Sequence, residues 1–200
     1  LDNENQKLIR EAFGIAKLIQ CLGIDDSALK IQAAGALWNL SLDDENKTEI
    51  REAFGILPLV ACLGSDYAAL KTNAAGALLN LASDNMNRKL IRDAGGILPL
   101  VACLSSDSGE LKIHAAGALR NLSLDNYNKK AIRDAGGIAK LSECLDSTDT
   151  EIKLHAAGAL RNLSLDNYNK KAIREANGIA NLIQCLDSTD TEIKTHAAGT

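Results

Sequence analysis

Residues 115–124 read AAGALRNLSL, and close copies of this stretch recur at 33–42, 74–83 and 156–165. Each copy begins 41 residues after the one before it, and the five cysteines keep the same step. A fixed period of this size is typical of a solenoid, in which each unit buries its apolar face against its neighbours. The sequence therefore predicts a single domain over 1–200, built from five repeats. The expected repeat boundaries are 2–42, 43–83, 84–124, 125–165 and a truncated 166–200.

The composition favours a helical protein that neither inserts into membranes nor binds nucleic acids. Of 200 residues, 46% are apolar but only 3% are aromatic, which disfavours a β-sandwich or barrel. No apolar run approaches the ~18 residues that span a bilayer. The net charge of -4 argues against a nucleic-acid partner. No secretory or mitochondrial presequence opens the chain, so we expect a cytoplasmic or also nuclear location, with reduced and buried cysteines.

Each repeat is predicted to contain three helices, two short and one long. In the fourth repeat the first helix covers 128–135 and ends at Gly136, where glycine can take a left-handed conformation. The second helix begins at about Ile138 and continues with apolar residues at helical spacing. Thr148 and Glu151 read as a capping box that starts the third helix. The same capping role is predicted for Glu110 and Glu192.

The third helix carries a polar strip between two apolar flanks. At 100° per residue, Gln32, Gly35 and Asn39 fall on this strip, which we call the third-helix strip. Stacking of the repeats is expected to align the strips into a continuous polar row. The later members are Asn73, Gly76 and Asn80; Glu110, His114, Gly117 and Asn121; Glu151, His155, Gly158 and Asn162; and Glu192 and His196.

The repeated pattern resembles the consensus of the armadillo repeat family. It reads N-x-x-x-I-R-[ED]-A-x-G-I-x-x-L and then A-A-G-A-L-x-N-L-[SA], most clearly at 128–141 and 156–164. The resemblance covers essentially all 200 residues. It implies an all-α fold, a right-handed α-solenoid of three-helix repeats whose third helices line a concave groove. It also implies that an extended peptide binds there, with its backbone bonded by Asn39, Asn80, Asn121 and Asn162.

One departure from the family separates this chain from the nuclear-import branch. Importin-α typically has a tryptophan four residues before the asparagine and an acidic residue seven before it. Here the position four residues before the asparagine is glycine. The position seven residues before it is Gln32, Asn73, His114 or His155. Nuclear-signal binding is therefore not expected. The repeat sequence A-A-G-A-L-x-N-L-S is more similar to the β-catenin, vacuolar armadillo and plant U-box groups, which are adaptor scaffolds.

The asparagines have two readings. They could crosslink neighbouring helices, but asparagine is a poor residue for a helix interior and recurs here on one exposed strip. Ligand binding is therefore favoured, with the amide offering both a donor and an acceptor to a peptide backbone. Each such bond contributes about 0.5–1.5 kcal/mol, so useful affinity requires several repeats.

The other candidate peptide contacts surround these asparagines. The histidines cannot chelate one metal ion from adjacent repeats, because stacked helices lie roughly 8–10 Å apart. Arg120 and Arg161 replace Trp38 and Leu79 at one equivalent position, where they either favour acidic ligand residues or simply pack. The candidates besides the four asparagines are Gln32, Asn73, His114, His155, His196, Trp38, Arg120 and Arg161.

The sequence predicts a non-enzymatic scaffold that holds an extended or disordered protein segment. No phosphate-binding loop, catalytic set or metal-spaced cluster is recognisable, so no cofactor is expected. The alternative is an engineered or excised repeat array without a natural ligand, which associates head to tail. Residues 125–159 and 166–200 differ at only seven of 35 positions, as duplication or deliberate repetition would both produce. Neither end shows the polar capping repeat that a solenoid normally has.

Overall fold

The computed structural model describes residues 3–200, and these form fifteen α-helices without a β-strand. The predicted all-α class is confirmed. The chain divides into two compact units, Leu1–Pro99 and Leu100–Thr200, which are described separately below. No helix within residues 3–200 has both the length and the apolar character needed to cross a bilayer.

The helices follow the three-per-repeat pattern. In chain order they are α1 (Asn3–Glu11), α2 (Gly14–Cys21), α3 (Ser27–Leu40), α4 (Asp44–Glu52), α5 (Ile56–Cys62), α6 (Ala68–Leu81), α7 (Asn85–Asp93), α8 (Ile97–Cys103), α9 (Gly109–Leu122), α10 (Asn126–Asp134), α11 (Gly137–Cys144), α12 (Thr150–Leu163), α13 (Asn167–Glu175), α14 (Gly178–Cys185) and α15 (Thr191–Ala198). The third helices are α3, α6, α9, α12 and α15. Of these, α3 packs against α6 in the first unit, while α9 packs against α12 and α12 against α15 in the second.

Asp149, rather than the predicted Thr148, caps the third helix of the fourth repeat. Asp149 lies in extended backbone, and its Oδ1 accepts hydrogen bonds from the backbone N–H of Glu151 at 2.9 Å and of Ile152 at 3.2 Å. The capping box from Thr148 to Glu151 was therefore wrong, because Thr148 lies one residue too early. The first helix of this repeat also starts earlier than predicted, because Asp125 caps α10 at Asn126.

A residue with left-handed backbone follows the first helix of each of the five repeats. The glycine prediction is confirmed at Gly136, which has φ +74°, and its equivalent Gly95 has φ +76°. Non-glycine residues occupy the same position in three other repeats, namely Phe13, Phe54 and Asn177 with φ between 56° and 58°. Phenylalanine is strained there because its Cβ approaches the following carbonyl oxygen. The Phe54 side chain recovers little by packing, since the residue is 83% exposed.

The core runs along both flanks of the third helices. In α6, Ala74, Ala75 and Ala77 are completely buried together with Leu78 and Leu81. Small alanines let neighbouring helix backbones approach closely, while the leucines fill the remaining space at native packing density. Burial of each leucine side chain stabilises the fold by about 1.5–3 kcal/mol. The strip lies between these flanks, so packing of the core fixes which side chains remain on it.

A buried polar contact joins the first helices of successive repeats. In the second unit, Arg133 Nη1 donates to Asn169 Oδ1 at 3.0 Å and to Asp166 Oδ1 at 3.4 Å. Asn169 is fully buried, and its Nδ2 donates to the Leu163 carbonyl oxygen at 3.2 Å and to the Lys129 carbonyl oxygen at 3.4 Å. This contact explains the N-x-x-x-I-R part of the repeat, which the sequence alone left without a role. In the first unit the same contact is made by Arg10, Asp43 and Asn46, and by Arg51, Asp84 and Asn87.

Candidate functional site

The strip asparagine of the second repeat is hydrogen-bonded to the third helix before it. Asn80 on α6 donates from Nδ2 to the Trp38 carbonyl oxygen at 3.3 Å and to Ser41 Oγ at 3.1 Å. Ser41 is fully buried at the end of α3 and donates its own hydroxyl to the Trp38 carbonyl at 2.6 Å. The serine of the repeated motif therefore positions the asparagine of the next repeat.

The second unit repeats this geometry, which we call the Asn–Ser contact. Asn162 Nδ2 donates to the Arg120 carbonyl oxygen at 3.2 Å and to Ser123 Oγ at 3.0 Å. The two acceptors lie 2.6 Å from each other, so one N–H of the amide is shared between them. Within residues 3–200, the Oδ1 atoms of Asn80 and Asn162 accept no hydrogen bond. One N–H of each amide thus crosslinks neighbouring third helices, and peptide binding by these asparagines stays a prediction.

The remaining polar members of the strip are held to different degrees. Asn39 and Gln32 are exposed, and neither side chain forms a hydrogen bond to another residue in the described range 3–200. Asn73 is half-buried and donates from Nδ2 to the Ile31 carbonyl oxygen at 2.9 Å, so it also connects α6 to α3. Asn121 is half-buried on α9.

The strip glycines receive a large side chain from the preceding repeat. A Cβ atom at Gly76 would lie 2.6 Å from Trp38 Cε2, which shows that the indole packs directly over this glycine. In the second unit, a Cβ at Gly158 would lie 2.6 Å from Arg120 Nε. Sequence reasoning missed this role, although the equivalent positions of the large residue and of the glycine repeat with the same period. The pairs within a unit are Trp38 with Gly76, Arg120 with Gly158, and Arg161 with Gly199.

Three of the candidate residues converge in the second unit. Arg120 reaches across Gly158, and its Nη2 lies 3.1 Å from His196 Nε2 on α15. Arg161 approaches the same imidazole from α12, with its Nη1 3.4 Å from Nδ1. The Glu192 carboxylate lies farther away, with Oε1 3.8 Å from Arg120 Nη2 and 3.9 Å from His196 Nε2. The arginine stems therefore pack while their charged groups lie on the strip, and a preference for acidic ligand residues stays a prediction.

Each strip histidine lies near a glutamate four residues earlier. The Nε2 to Oε1 distances are 3.8 Å at His114 and His155 and 3.9 Å at His196. Burial lowers the pKa of all three imidazoles below the ordinary value. The Arg120 guanidinium lowers the pKa of His155 and His196 further, and Arg161 adds to the effect at His196. Glu192 opposes these effects at both residues.

The cysteines belong to the packing of the second helices. No disulfide joins the five, all of which lie within the described residues, and four of them are buried while Cys21 is half-buried. Burial raises the pKa of the Cys144 thiol to about 11, so this group is almost entirely protonated at neutral pH. No group of three or more metal-ligating side chains is arranged to hold an ion within residues 3–200.

The sequence matches the armadillo/beta-catenin-like repeat family over 2–42, 43–83, 84–124, 125–165 and 166–200. No curated protein is significantly similar to the chain in sequence. Similar solved structures include an engineered protein from the Northeast Structural Genomics Consortium, with 37% identity and a TM-score of 0.94, covering 100% of this chain and 82% of that one. A designed armadillo repeat protein in complex with the peptide (KR)4 has 25% identity and a TM-score of 0.90, over 98% of this chain and 84% of that one. A computationally designed armadillo repeat protein for modular peptide recognition has 25% identity and a TM-score of 0.88, over 92% and 79%. The solenoid class is shown, and these neighbours are consistent with an engineered repeat array.

Proposed function

Because the chain belongs to the armadillo/beta-catenin-like repeat family, we propose that it binds an extended peptide segment along its third-helix strips. One designed armadillo neighbour binds the peptide (KR)4, and another was designed for modular peptide recognition. These neighbours support the class of ligand, while the residues that would contact it are inferred from this chain alone. We assign no catalytic step and no cofactor to this function.

The proposal is supported by the Oδ1 atoms of Asn80 and Asn162, which accept no hydrogen bond within the described residues. Each Nδ2 group is fixed to the preceding third helix, so each Oδ1 is held in place before a ligand arrives. An acceptor of this kind pairs with a backbone N–H and does not read the ligand sequence. Stacked helices are about 8–10 Å apart and an extended chain rises about 3.3 Å per residue, so one repeat serves two or three ligand residues.

The test is selection of peptides from a random display library. The parent protein is compared with a variant in which Asn39, Asn80, Asn121 and Asn162 are all changed to alanine. We expect the parent to enrich a motif that the variant does not retain. Enrichment of the same motif by both proteins would contradict the proposed role of the asparagines, and no enrichment by the parent would contradict peptide binding.

A control separates ligand contact from loss of the Asn–Ser contact. The substitutions Ser41→Ala and Ser123→Ala remove a buried hydroxyl that holds Asn80 and Asn162 but leave the asparagines in place. Asn39→Ala removes an asparagine that has no Asn–Ser contact, because the Asn39 side chain is exposed and forms no hydrogen bond within the described residues. If the asparagines contact the ligand, Asn39→Ala weakens binding without a change in stability. The variant with both serine substitutions loses stability but keeps most of its affinity, because the Trp38 and Arg120 carbonyl oxygens still hold the two amides.

A second candidate function, head-to-tail self-association, is favoured by an exposed apolar face on the fifth repeat. Ile179 is 49% exposed and Leu186 is 42% exposed, whereas their equivalents Ile138 and Leu145 in the fourth repeat are each 3% exposed. Ile183 on the same face is 60% exposed. In the fourth repeat, the equivalent face is covered by the repeat that follows it.

We infer that a second copy of this chain can cover this face with its own first repeat. There Leu18 and Leu29 are half-buried, although their equivalents Leu59 and Leu70 are buried in the second repeat. Such a contact is heterologous and can extend into filaments. Light scattering should show a mass that rises with concentration for the parent and stays monomeric for Ile183→Lys. A parent that remains monomeric at high concentration would rule this function out.

A further inference from the structure

We propose that Arg120, Arg161 and His196 form an oxyanion site on the third-helix strip of the second unit. The site would take a carboxylate or a phosphate group carried by a side chain of the ligand. The inference deepens the proposed function and depends on it for the nature of the ligand. The site itself is a property of the side chains described here, and it can be tested without any peptide.

The cluster of Arg120, Arg161 and His196 has too few hydrogen-bond acceptors. A guanidinium only donates hydrogen bonds, and a neutral imidazole has one acceptor nitrogen and one N–H. Arg120 nevertheless faces Nε2 of His196 at 3.1 Å while Arg161 faces Nδ1 of the same ring at 3.4 Å. One of the two guanidinium groups must therefore point at an N–H or at a ring nitrogen that cannot accept. An oxyanion placed beside them would supply the missing lone pairs.

The cluster also carries a surplus of positive charge. The carboxylate of Glu192 is the nearest negative group, and it lies 3.8 Å from Arg120 Nη2, beyond hydrogen-bond distance. Arg161 forms no ion pair with any residue in the described part of the chain. A single carboxylate, which forms no hydrogen bond to either arginine, therefore faces two guanidinium groups. Arg–carboxylate and Arg–phosphate pairs are among the stronger polar contacts in proteins, and they gain from two donors presented together.

Both arginines already lie on the strip before a ligand binds. Arg120 packs over Gly158 and Arg161 packs over Gly199, so each stem has a packing contact on the strip. The Arg120 side chain is still 28% exposed, which leaves its charged end open to a ligand. Fixed donors lose less side-chain entropy when they bind, and this favours affinity. The same strip holds Asn162, so a peptide bound by its backbone there would pass the site.

The proposal also sets a direction for the effect of pH. The groups that face His196 are Arg120 from α9, Arg161 from α12 and Glu192 from its own helix, while α14 contributes no charged residue. An anion bound among them favours the imidazolium form, which adds a further donor. Anion binding should therefore tighten as the pH falls towards the range in which His196 gains its proton.

The experiment is an NMR titration of the full chain labelled at histidine. The three imidazoles give separate signals, followed against pH in acetate, in inorganic phosphate, and in chloride at the same ionic strength. We expect both oxyanions to raise the apparent pKa of His196 by more than about half a unit over chloride, with little change at His114. A larger effect of phosphate would assign a phosphorylated ligand residue, and a larger effect of acetate an aspartate or glutamate.

Three variants make the result specific. Arg120→Gln and Arg161→Gln should each abolish the extra shift at His196. Glu192→Gln removes the internal competitor and should strengthen anion binding severalfold, a gain that a damaged fold would not produce. Glu110→Gln is the matched control, because Glu110 lies equally close to its own histidine, and this variant should leave the response of His196 unchanged.

Equal responses of His196 and His114, or a shift that persists in Arg161→Gln, would overturn the inference. Failure here is distinguishable from failure of peptide binding. If display-selected peptides depend on the asparagines while His196 does not respond to anions, the proposed function stands and the oxyanion site is wrong. If the anions act at His196 but no peptide is enriched, the site stands without the proposed ligand.

Discussion

Replacing Gly76 by alanine tests the packing that shapes the strip. The new Cβ would lie 2.6 Å from Trp38 Cε2 and 2.8 Å from Nε1, well inside a van der Waals contact of about 3.5–4.0 Å. The rigid indole must therefore move by roughly 1 Å. Overpacking of this kind costs about 1–3 kcal/mol. Alanine regains about 1 kcal/mol over glycine in a helix interior. We expect Gly76→Ala to lower the free energy of unfolding by about 1 kcal/mol.

The assay has a matched control and a direct local readout. A Cβ at Gly109, the first residue of α9, would meet nothing within 4 Å, so Gly109→Ala should gain about 0.5–1 kcal/mol. Urea unfolding followed by circular dichroism compares the two variants. Trp38 is the only tryptophan of the chain, so its fluorescence emission reports displacement of the indole. The emission maximum should shift to longer wavelength in Gly76→Ala and stay unchanged in Gly109→Ala. A stabilised Gly76→Ala with unchanged emission would refute the packing of the indole over this glycine.

Three further predictions concern stability. Asn169→Ala should lower the free energy of unfolding by about 2–4 kcal/mol because it leaves buried partners of the amide unsatisfied, while the exposed Asn167→Ala should stay within about 0.5 kcal/mol of the parent in urea unfolding. Phe54→Gly should raise the urea midpoint, with a gain of about 0.5–1 kcal/mol, because it relieves a left-handed phenylalanine whose ring is exposed; a lower midpoint would contradict this. The pKa values of His155 and His196 are lowered in the folded state, so the unfolded chain takes up more protons as the pH falls below about 6.5. The free energy of unfolding should therefore decrease from pH 7.5 to 5.5, and by less when both histidines are changed to glutamine; an equal decrease would contradict their role.

The periodic part of the structure could be predicted from the sequence. Helix number, the left-handed Gly136 and the strip all follow from a period of 41 residues and from apolar spacing, which core packing enforces in every repeat. The N-cap Asp149 of α12 was missed because Thr148 and Asp149 are adjacent and both are good capping residues. Only the backbone conformation decides which side chain meets the free N–H groups.

Side-chain paths across repeats could not be predicted in the same way. Periodicity shows that Arg120 and Gly158 recur, but not that the arginine stem crosses the glycine to reach His196 on α15. The use of the Asn162 donor was also hidden, because it depends on where Ser123 Oγ lies after the helices stack. Long-range polar contacts of this kind are set by tertiary packing rather than by local spacing.

The asparagine Oδ1 atoms are expected to accept hydrogen bonds from the backbone of a bound peptide. The most direct measurement is the affinity of a display-selected peptide and of copies that are N-methylated at one backbone nitrogen each. Every bond that is lost should weaken binding to the parent by about 2- to 10-fold, because such a bond contributes about 0.5–1.5 kcal/mol. For the methylated position that faces Asn162, the effect should disappear in Asn162→Ala. Equal affinity of all the methylated peptides for the parent, or the same loss in the parent and in Asn162→Ala, would contradict the claim.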